Sequence, residues 1–323
     1  TQVLRPVAER ALELMVEEYG NPSSLHTRGF RARQRVEEAR ALVAQRLGAQ
    51  AEEITFTSGG TEANNLALFG AAQARKRLGN KIVTTAAEHD SVLNPCRELE
   101  KQGFEVVYVK PDSSGHLPPE ALAAAIDQNT ILVSCMLVNN ETGAIFPVEE
   151  AARAIRRSKA PALLHVDAVQ AFGKLPFTVK KLGADLLTLS GHKLHAPKGV
   201  GALYVKKGTR LLPRTLGGGQ ERGLRSGTES VPLIGALGVL NFSAGKVRGE
   251  TMLHFLAQRE VYVSSGSACG KAKPSHVLES MGLPKEQVQS ALRVSFSRFS
   301  TEEDVGALVE GLKVGLAQLA VGS

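Results

Sequence analysis

The sequence has little of what would place it in several common classes. Only 5% of its 323 residues are aromatic. No basic stretch interleaved with aromatics and no zinc-finger pattern is present, so direct nucleic-acid binding is not expected. Three cysteines, Cys96, Cys135 and Cys269, are too few and too scattered for a disulfide framework or a CxxC metal site, and no metal is expected. Such sparing use of cysteine favours a reducing compartment, hence the cytoplasm. No apolar run reaches the roughly 18 residues of a membrane span. The opening TQVLRPVAERALELM lacks the apolar stretch and the cleavage site of a secretory signal. Internal repeats and low-complexity linkers are absent as well.

What is present is an alternation of helical and strand patterns. Residues 32–47, ARQRVEEARALVAQRL, set Val36, Ala39, Leu42, Val43 and Leu47 on one helical face, and Gly48 follows as a stop. Residues 61–78 read as a second helix, closed by Gly79. Strand-like runs are ITF (54–56), KIVTTA (81–86), EVVYVK (105–110), TILVSCMLV (130–138), ALLHVDA (162–168), ADLLTLS (184–190) and VGALYV (200–205). Several are apolar nearly throughout, which suits strands covered on both faces and predicts a mostly parallel sheet between helix layers. Cys135 falls inside one such run and Cys96 in the helix-like NPCRELEKQG, and both read as core. After residue 238 the character changes. ALRVSFSRF (291–299) reads as a strand and 301–319 as a helix capped by Thr301. The predicted division is a large α/β domain over 3–238 and a smaller α+β domain over 239–323, joined by the extreme N-terminus. The net charge of +7 reads as a solvated basic surface, compatible with acidic ligands or protein partners.

Ligands of open α/β sheets bind beyond the carboxyl ends of the strands. Four predicted strands deliver polar groups there: His89 after 81–86, Asn139 and Asn140 after 130–138, Asp167 and Gln170 after 162–166, and Ser190, His192 and Lys193 after 184–189. Singly, each has an ordinary structural explanation, such as a turn cap or a surface charge. Their convergence is harder to explain away. The turn Ser58-Gly59-Gly60-Thr61 joins them, running from a strand into a helix whose first N–H groups suit an anion. It is neither a Walker A motif nor a GxGxxG fingerprint. A ligand with a phosphate, a group that pairs with a carboxylate and an aldehyde that condenses with a lysine meets all of these requirements. Pyridoxal 5′-phosphate is such a ligand: Lys193 suits its aldehyde, Asp167 its ring nitrogen, His89 its ring face, and Asn140 and Gln170 its hydroxyl.

The motifs SGGTEANN, EHDSV, VNNETG, HVDAVQ, SGHKLHAPKGVGALYV, GGGQERGLRSGT, SSGSAC and ALRVSFSRF occur in that order. In them the chain resembles the cysteine desulfurases with an SSGSAC loop, which are related to class V aminotransferases. The resemblance is close over 20–238 and good over 241–315. It implies the fold type I of pyridoxal-phosphate enzymes, with a mostly parallel seven-stranded sheet. By the same resemblance Lys193 carries the Schiff base, and Gly60, Thr61, Ser190 and His192 hold the phosphate. Asp167 meets the pyridine nitrogen, Asn140 and Gln170 the hydroxyl, and His89 stacks on the ring and assists proton transfer. Thr228 of RSGT reaches the phosphate of the other subunit, which implies a homodimer. Arg293, with Asn140, binds the carboxylate of L-cysteine, and Cys269 takes up its sulfur as a persulfide for an acceptor protein. That acceptor is an iron–sulfur scaffold or a tRNA-thiolation factor.

The loop VYVSSGSACGKAKPSHVL (261–278) fits this role, since Gly266, Gly270 and the serines make it pliant. Lys271 and Lys273 supply a positive field that favours a thiolate. Two departures stand beside the resemblance. A stretch of small domain is missing near 238–241, and a DNAAT-like opening does not precede Thr1. Selenocysteine lyase and a class V aminotransferase are the alternative activities, and the second would need no loop thiol.

Overall fold

The computed structural model describes residues 1–240, 275–291, 293 and 301–319. Seven strands form one sheet: β1 (Ile54–Thr57), β2 (Lys81–Thr85), β3 (Glu105–Val109), β4 (Thr130–Ser134), β5 (Leu163–Asp167), β6 (Leu186–Ser190) and β7 (Gly201–Val205). Their order across the sheet is β1-β7-β6-β5-β4-β2-β3. The pairs β2–β3, β2–β4, β4–β5 and β5–β6 are parallel. Only β7 runs against the rest, antiparallel to both β1 and β6. The mostly parallel sheet read from the sequence is therefore found, with each strand in its predicted place. β4 falls furthest short of its apolar run, stopping at Ser134 rather than running to 138. Just beyond it the Met136 N–H donates to the Glu88 carboxylate (2.7 Å).

The strands are apolar throughout because both faces are covered. Successive residues enter different clusters. Ile82, Leu132, Leu163, Leu186 and Leu203 pack with the helix Gly60–Arg75 on one face. Val83, Val133, Leu164, Leu187 and Ala202 pack on the other face with the helix Thr27–Leu47. Each fully buried Leu or Ile is worth about 1.5–3 kcal/mol relative to exposure. The helix Thr27–Leu47 buries Val36, Ala39, Val43 and Leu47 as its spacing predicts and ends on Gly48 in the left-handed region, φ 67°. The second predicted helix begins at Gly60 and ends at Arg75, short of 78, where the chain turns with Leu78 N–H on the Arg75 carbonyl (2.8 Å). Cys96 and Cys135 are both buried. Burial pushes the Cys96 thiol up to about 12 and that of Cys135 well above its ordinary range, which leaves both inert as nucleophiles.

In the C-terminal part, the helices His276–Ser280, Lys285–Ser290 and Glu302–Leu319 are described. The last opens on a reciprocal cap: Asp304 N–H donates to Thr301 Oγ1 (3.2 Å) and Thr301 N–H to Asp304 Oδ2 (2.7 Å). The predicted strand 291–299 lies outside the described residues apart from Ala291 and Arg293. No helix among the described residues is long and apolar enough to cross a membrane.

Strand order locates the site. From β2 the chain moves outward to β3, whereas from β4 it moves the other way to β5 and β6. The crevice between β2 and β4 is thus the point at which the winding reverses, where such sheets bind ligands. His89 follows β2 and Asn140 follows β4, so both stand at its mouth.

Candidate active site

The anion-binding corner is built by β1 and the helix it feeds. After Thr57 the chain passes through Gly59, at φ 155°, a conformation that an L side chain rarely adopts. The helix then starts at Gly60. A methyl group on Gly60 would stand 3.0 Å from Val169 Cγ2 and 3.4 Å from the Cβ of Ser190, so glycine keeps a cradle open there. On its far side, at the end of β6, Ser190 Oγ and His192 Nδ1 are 2.8 Å apart. Lys193 follows in the short 3-10 turn Gly191–Leu194. The N-terminus docks beside this turn, with Leu4 N–H on the His195 carbonyl (3.1 Å).

At the end of β5 the carboxylate of Asp167 is nearly inaccessible to solvent. Its Oδ1 accepts from Val169 N–H (2.9 Å) and its Oδ2 from Asn64 Nδ2 (2.8 Å). Burial pushes this carboxyl above its ordinary range, against the pull of those hydrogen bonds and of His89. A cationic partner would restore the charged form, and the pyridinium nitrogen of pyridoxal phosphate is one.

Asn64 links Asp167 to His89. Its Nδ2 also donates to Ser91 Oγ (2.8 Å), which lies 2.8 Å from His89 Nδ1. Nδ1 accepts Ser91 N–H as well (3.1 Å), as the cap of the helix Asp90–Lys101. Because Nδ1 accepts, a neutral His89 carries its proton on Nε2. Asn64 and Ser91 were not singled out in the sequence. The signal was available: Asn64 sits one helical turn beyond Thr61, and Ser91 lies two residues past His89.

Behind His89 lies another group that sequence reasoning missed. Glu88 is fully buried, its Oε1 accepting from Met136 N–H (2.7 Å) and Thr85 Oγ1 (3.1 Å) while Oε2 has no partner. Burial raises its pKa to about 8, so it is a neutral acid at physiological pH. The Glu88 carbonyl accepts from His276 Nε2 (2.8 Å), and Ser275 Oγ donates to the Glu141 carboxylate. Arg293 Nη1 donates to the Asn140 carbonyl (3.1 Å). The C-terminal residues are thereby fastened to the turns after β2 and β4.

These residues meet in one cavity of about 340 Å³. Gly60, Thr61, His89, Asn140, Asp167, Gln170, Ser190, His192, Lys193 and Arg293 all line it. Two of the predicted site residues do not. Thr228 is exposed and is not among the lining residues. Cys269 lies outside the described residues. The cavity fits pyridoxal phosphate on three counts. Its volume is in the usual range for small ligands, about 300–1,000 Å³. The glycine cradle faces a serine–histidine pair. Two buried amide oxygens, Asn64 Oδ1 and Asn140 Oδ1, have no partner within the protein. Among the described residues no group of three His, Cys, Asp or Glu is placed to hold a metal ion.

The chain is similar to known proteins in both sequence and fold. The profile of the family described as Aminotransferase class-V matches residues 1–238 and 226–308. The chain is 41% identical to Cysteine desulfurase 2 of Trichormus variabilis, covering 96% of this chain and 89% of that one. To Cysteine desulfurase IscS of Methanosarcina thermophila it is 38% identical, covering 96% and 88%. The first of these alignments spans 360 positions, more than the 323 residues of the chain, so a stretch of the relative has no counterpart here. Among solved structures, a NifS-like protein superposes with a TM-score of 0.89 at 36% identity, covering 97% of this chain and 96% of that one. SspA in complex with cysteine superposes with a TM-score of 0.84 at 33% identity, covering 93% and 97%.

Proposed function

This chain belongs to the class-V aminotransferase family and is a cysteine desulfurase dependent on pyridoxal 5′-phosphate, and on that premise we propose how its residues divide the work. The observation that carries the reading is the meeting of Lys193, Asp167, His89 and Arg293, from four separate stretches of chain, around one cavity. When bound, the cofactor draws electrons from the Cα of the substrate and so weakens its neighbouring bonds. Lys193 Nζ would hold the cofactor aldehyde and serve as the base for the Cα proton of L-cysteine. Asp167 would keep the ring nitrogen protonated, with Asn64 fixing the carboxylate. Gly60, Thr61, Ser190 and His192 would bind the phosphate, and Asn140 and Gln170 the ring hydroxyl. His89 would cover the ring face, its tautomer set through Ser91. Arg293 orients the substrate carboxylate, for which a planar fork of donors is suited.

Cys269 is the sulfur carrier. As a thiolate it attacks the substrate sulfur. An S–S bond forms, the Cβ–S bond breaks with its electron pair left on Cβ, and protonation of Cβ together with return of the Cα proton from Lys193 yields alanine. The persulfide on Cys269 then passes to an acceptor protein, an iron–sulfur scaffold or a tRNA-thiolation factor, in the cytoplasm. Exposed Leu25, Phe30 and Leu216, together with an exposed Thr228, support a homodimer in which Thr228 completes the site of the other subunit. The division into a large domain (3–238) and a small C-terminal domain belongs to the same reading.

Two variants test it. Cys269→Ser is expected to abolish sulfur release from cysteine while the protein stays yellow with cofactor, and release at the wild-type rate would remove Cys269 from the mechanism. Lys193→Ala is expected to lose the visible absorbance of the lysine-bound cofactor, and an unchanged spectrum would sink that assignment.

A further inference from the structure

The anion cradle contains a carboxylate. Glu62 stands in the first turn of the helix that starts at Gly60, and it lines the same cavity as Gly60 and Thr61. Its Oε2 accepts from Ser58 N–H (2.7 Å), which fixes the turn before the helix. The same charge faces the place where a phosphate would bind, and two anions close together in a partly buried site repel strongly. Arg225 answers this charge. Its Nε donates to Glu62 Oε1 at 2.7 Å and its Nη2 reaches Oε2 at 3.4 Å, with both side chains about a quarter exposed. Burial raises the Glu62 carboxyl, but the hydrogen bonds from Arg225 and Ser58 outweigh it and hold the group below its ordinary value, as a carboxylate.

Arg225 is brought there by a strap that the protein fastens at some cost. Within residues 217–228 Arg225 pairs with Thr215 in an isolated parallel bridge, and Glu221 and Arg222 adopt the left-handed region at φ 48° and 56°, unusual for residues with side chains. The fastening is a buried ion pair. Arg40 Nη1 and Nη2 meet the two Glu221 oxygens at 2.7 and 2.8 Å. Glu221 Oε2 also accepts Phe56 N–H (2.8 Å), and the Arg40 guanidinium lies 4.9 Å from the centre of the Phe56 ring. Phe56 belongs to β1, the strand that feeds the phosphate turn, so strap and turn share one anchor.

We propose that Arg225 is the counter-charge that lets Glu62 shape the phosphate turn without repelling the cofactor, so that the strap 217–228 sets phosphate affinity within its own subunit. The proposal rests on the assignment of the Gly60–Thr61 turn to the phosphate. The experiment is titration of the cofactor-stripped enzyme with pyridoxal phosphate and, separately, with pyridoxal, which has no phosphate. Arg225→Met is expected to weaken pyridoxal phosphate about tenfold and pyridoxal less than about twofold, the loss shrinking as salt is added. Removing the stranded charge in the double variant Glu62→Gln/Arg225→Met is expected to bring the affinity back to within about threefold of the wild type. Arg225→Gln serves the same comparison if the methionine variant melts early. The proposal is overturned if Arg225→Met binds pyridoxal phosphate as the wild type does, if it weakens both ligands alike, or if the double variant stays as weak as the single one. A wild type that binds the two ligands equally would instead overturn the phosphate assignment beneath it.

Discussion

In the middle of the sheet, His165 on β5 lies 2.8 Å from Ser134 Oγ and 3.1 Å from Thr188 Oγ1 and meets no solvent. Burial lowers its pKa to about 3, so it stays neutral and serves as a hydrogen-bonded piece of core. At the carboxyl edge of the same sheet, His89 commits only Nδ1 to Ser91 and borders an open cavity. The two residues are chemically identical. The body of the sheet satisfies every ring nitrogen and closes around the group, whereas the edge leaves a nitrogen for a ligand. Asp167, two strand positions from His165, stands at the same edge as His89 and lines the cavity.

The contrast predicts that substitutions at the edge change activity more than stability, and that those in the body do the reverse. The largest effect is expected from Asp167→Asn. Loss of the carboxylate should lower turnover by about a hundredfold or more. The melting temperature should hold or rise, because a buried charge has been removed. Steady-state kinetics beside a thermal melt checks both halves, and a large loss of stability would make Asp167 part of the scaffold.

Glu88 sits on the boundary and tests it by pH. Its folded pKa of about 8 lies above its ordinary value, so the folded state holds a proton that the unfolded chain has lost between about pH 4.5 and 8. Its contribution to stability is full below that window and lost as pH rises through it. The wild type should therefore weaken by roughly 2–4 kcal/mol across the window through this group, and Glu88→Gln should flatten that slope. Denaturant titrations at pH 5 and pH 8 measure it, and equal slopes would show that Glu88 does not carry this proton. The smallest effect is expected in the body. Ser134→Ala removes one partner of His165 and should cost about 1 kcal/mol of stability. Turnover per folded molecule should remain at the wild-type value, and a fall in turnover would erase the distinction between the two histidines.

Much of the architecture was legible because period and apolarity report burial directly. All seven strands stand where apolar runs placed them, and Gly48 stops the helix it was predicted to stop. The overrun at β4 has a plain cause: apolarity continues through Cys135–Val138, but the Met136 N–H is claimed by a carboxylate 48 residues earlier in the chain. The site was legible where a residue follows a strand, since the carboxyl edge of a parallel sheet collects such residues. It was not legible where function depends on a partner distant in sequence. Asn64 became meaningful only beside Asp167, and Glu62 only beside Arg225, 163 residues away.

The sequence by itself determined the sheet, the family and its cofactor chemistry, because each is written in short contiguous patterns of residue type. Only the tertiary structure decided which polar groups answer one another: the amide between Asp167 and His89, the neutral acid behind His89, and the buried Arg40–Glu221 pair that brings Arg225 to Glu62. Charge, burial and hydrogen-bond satisfaction are properties of neighbours in space, and folding alone chooses those neighbours.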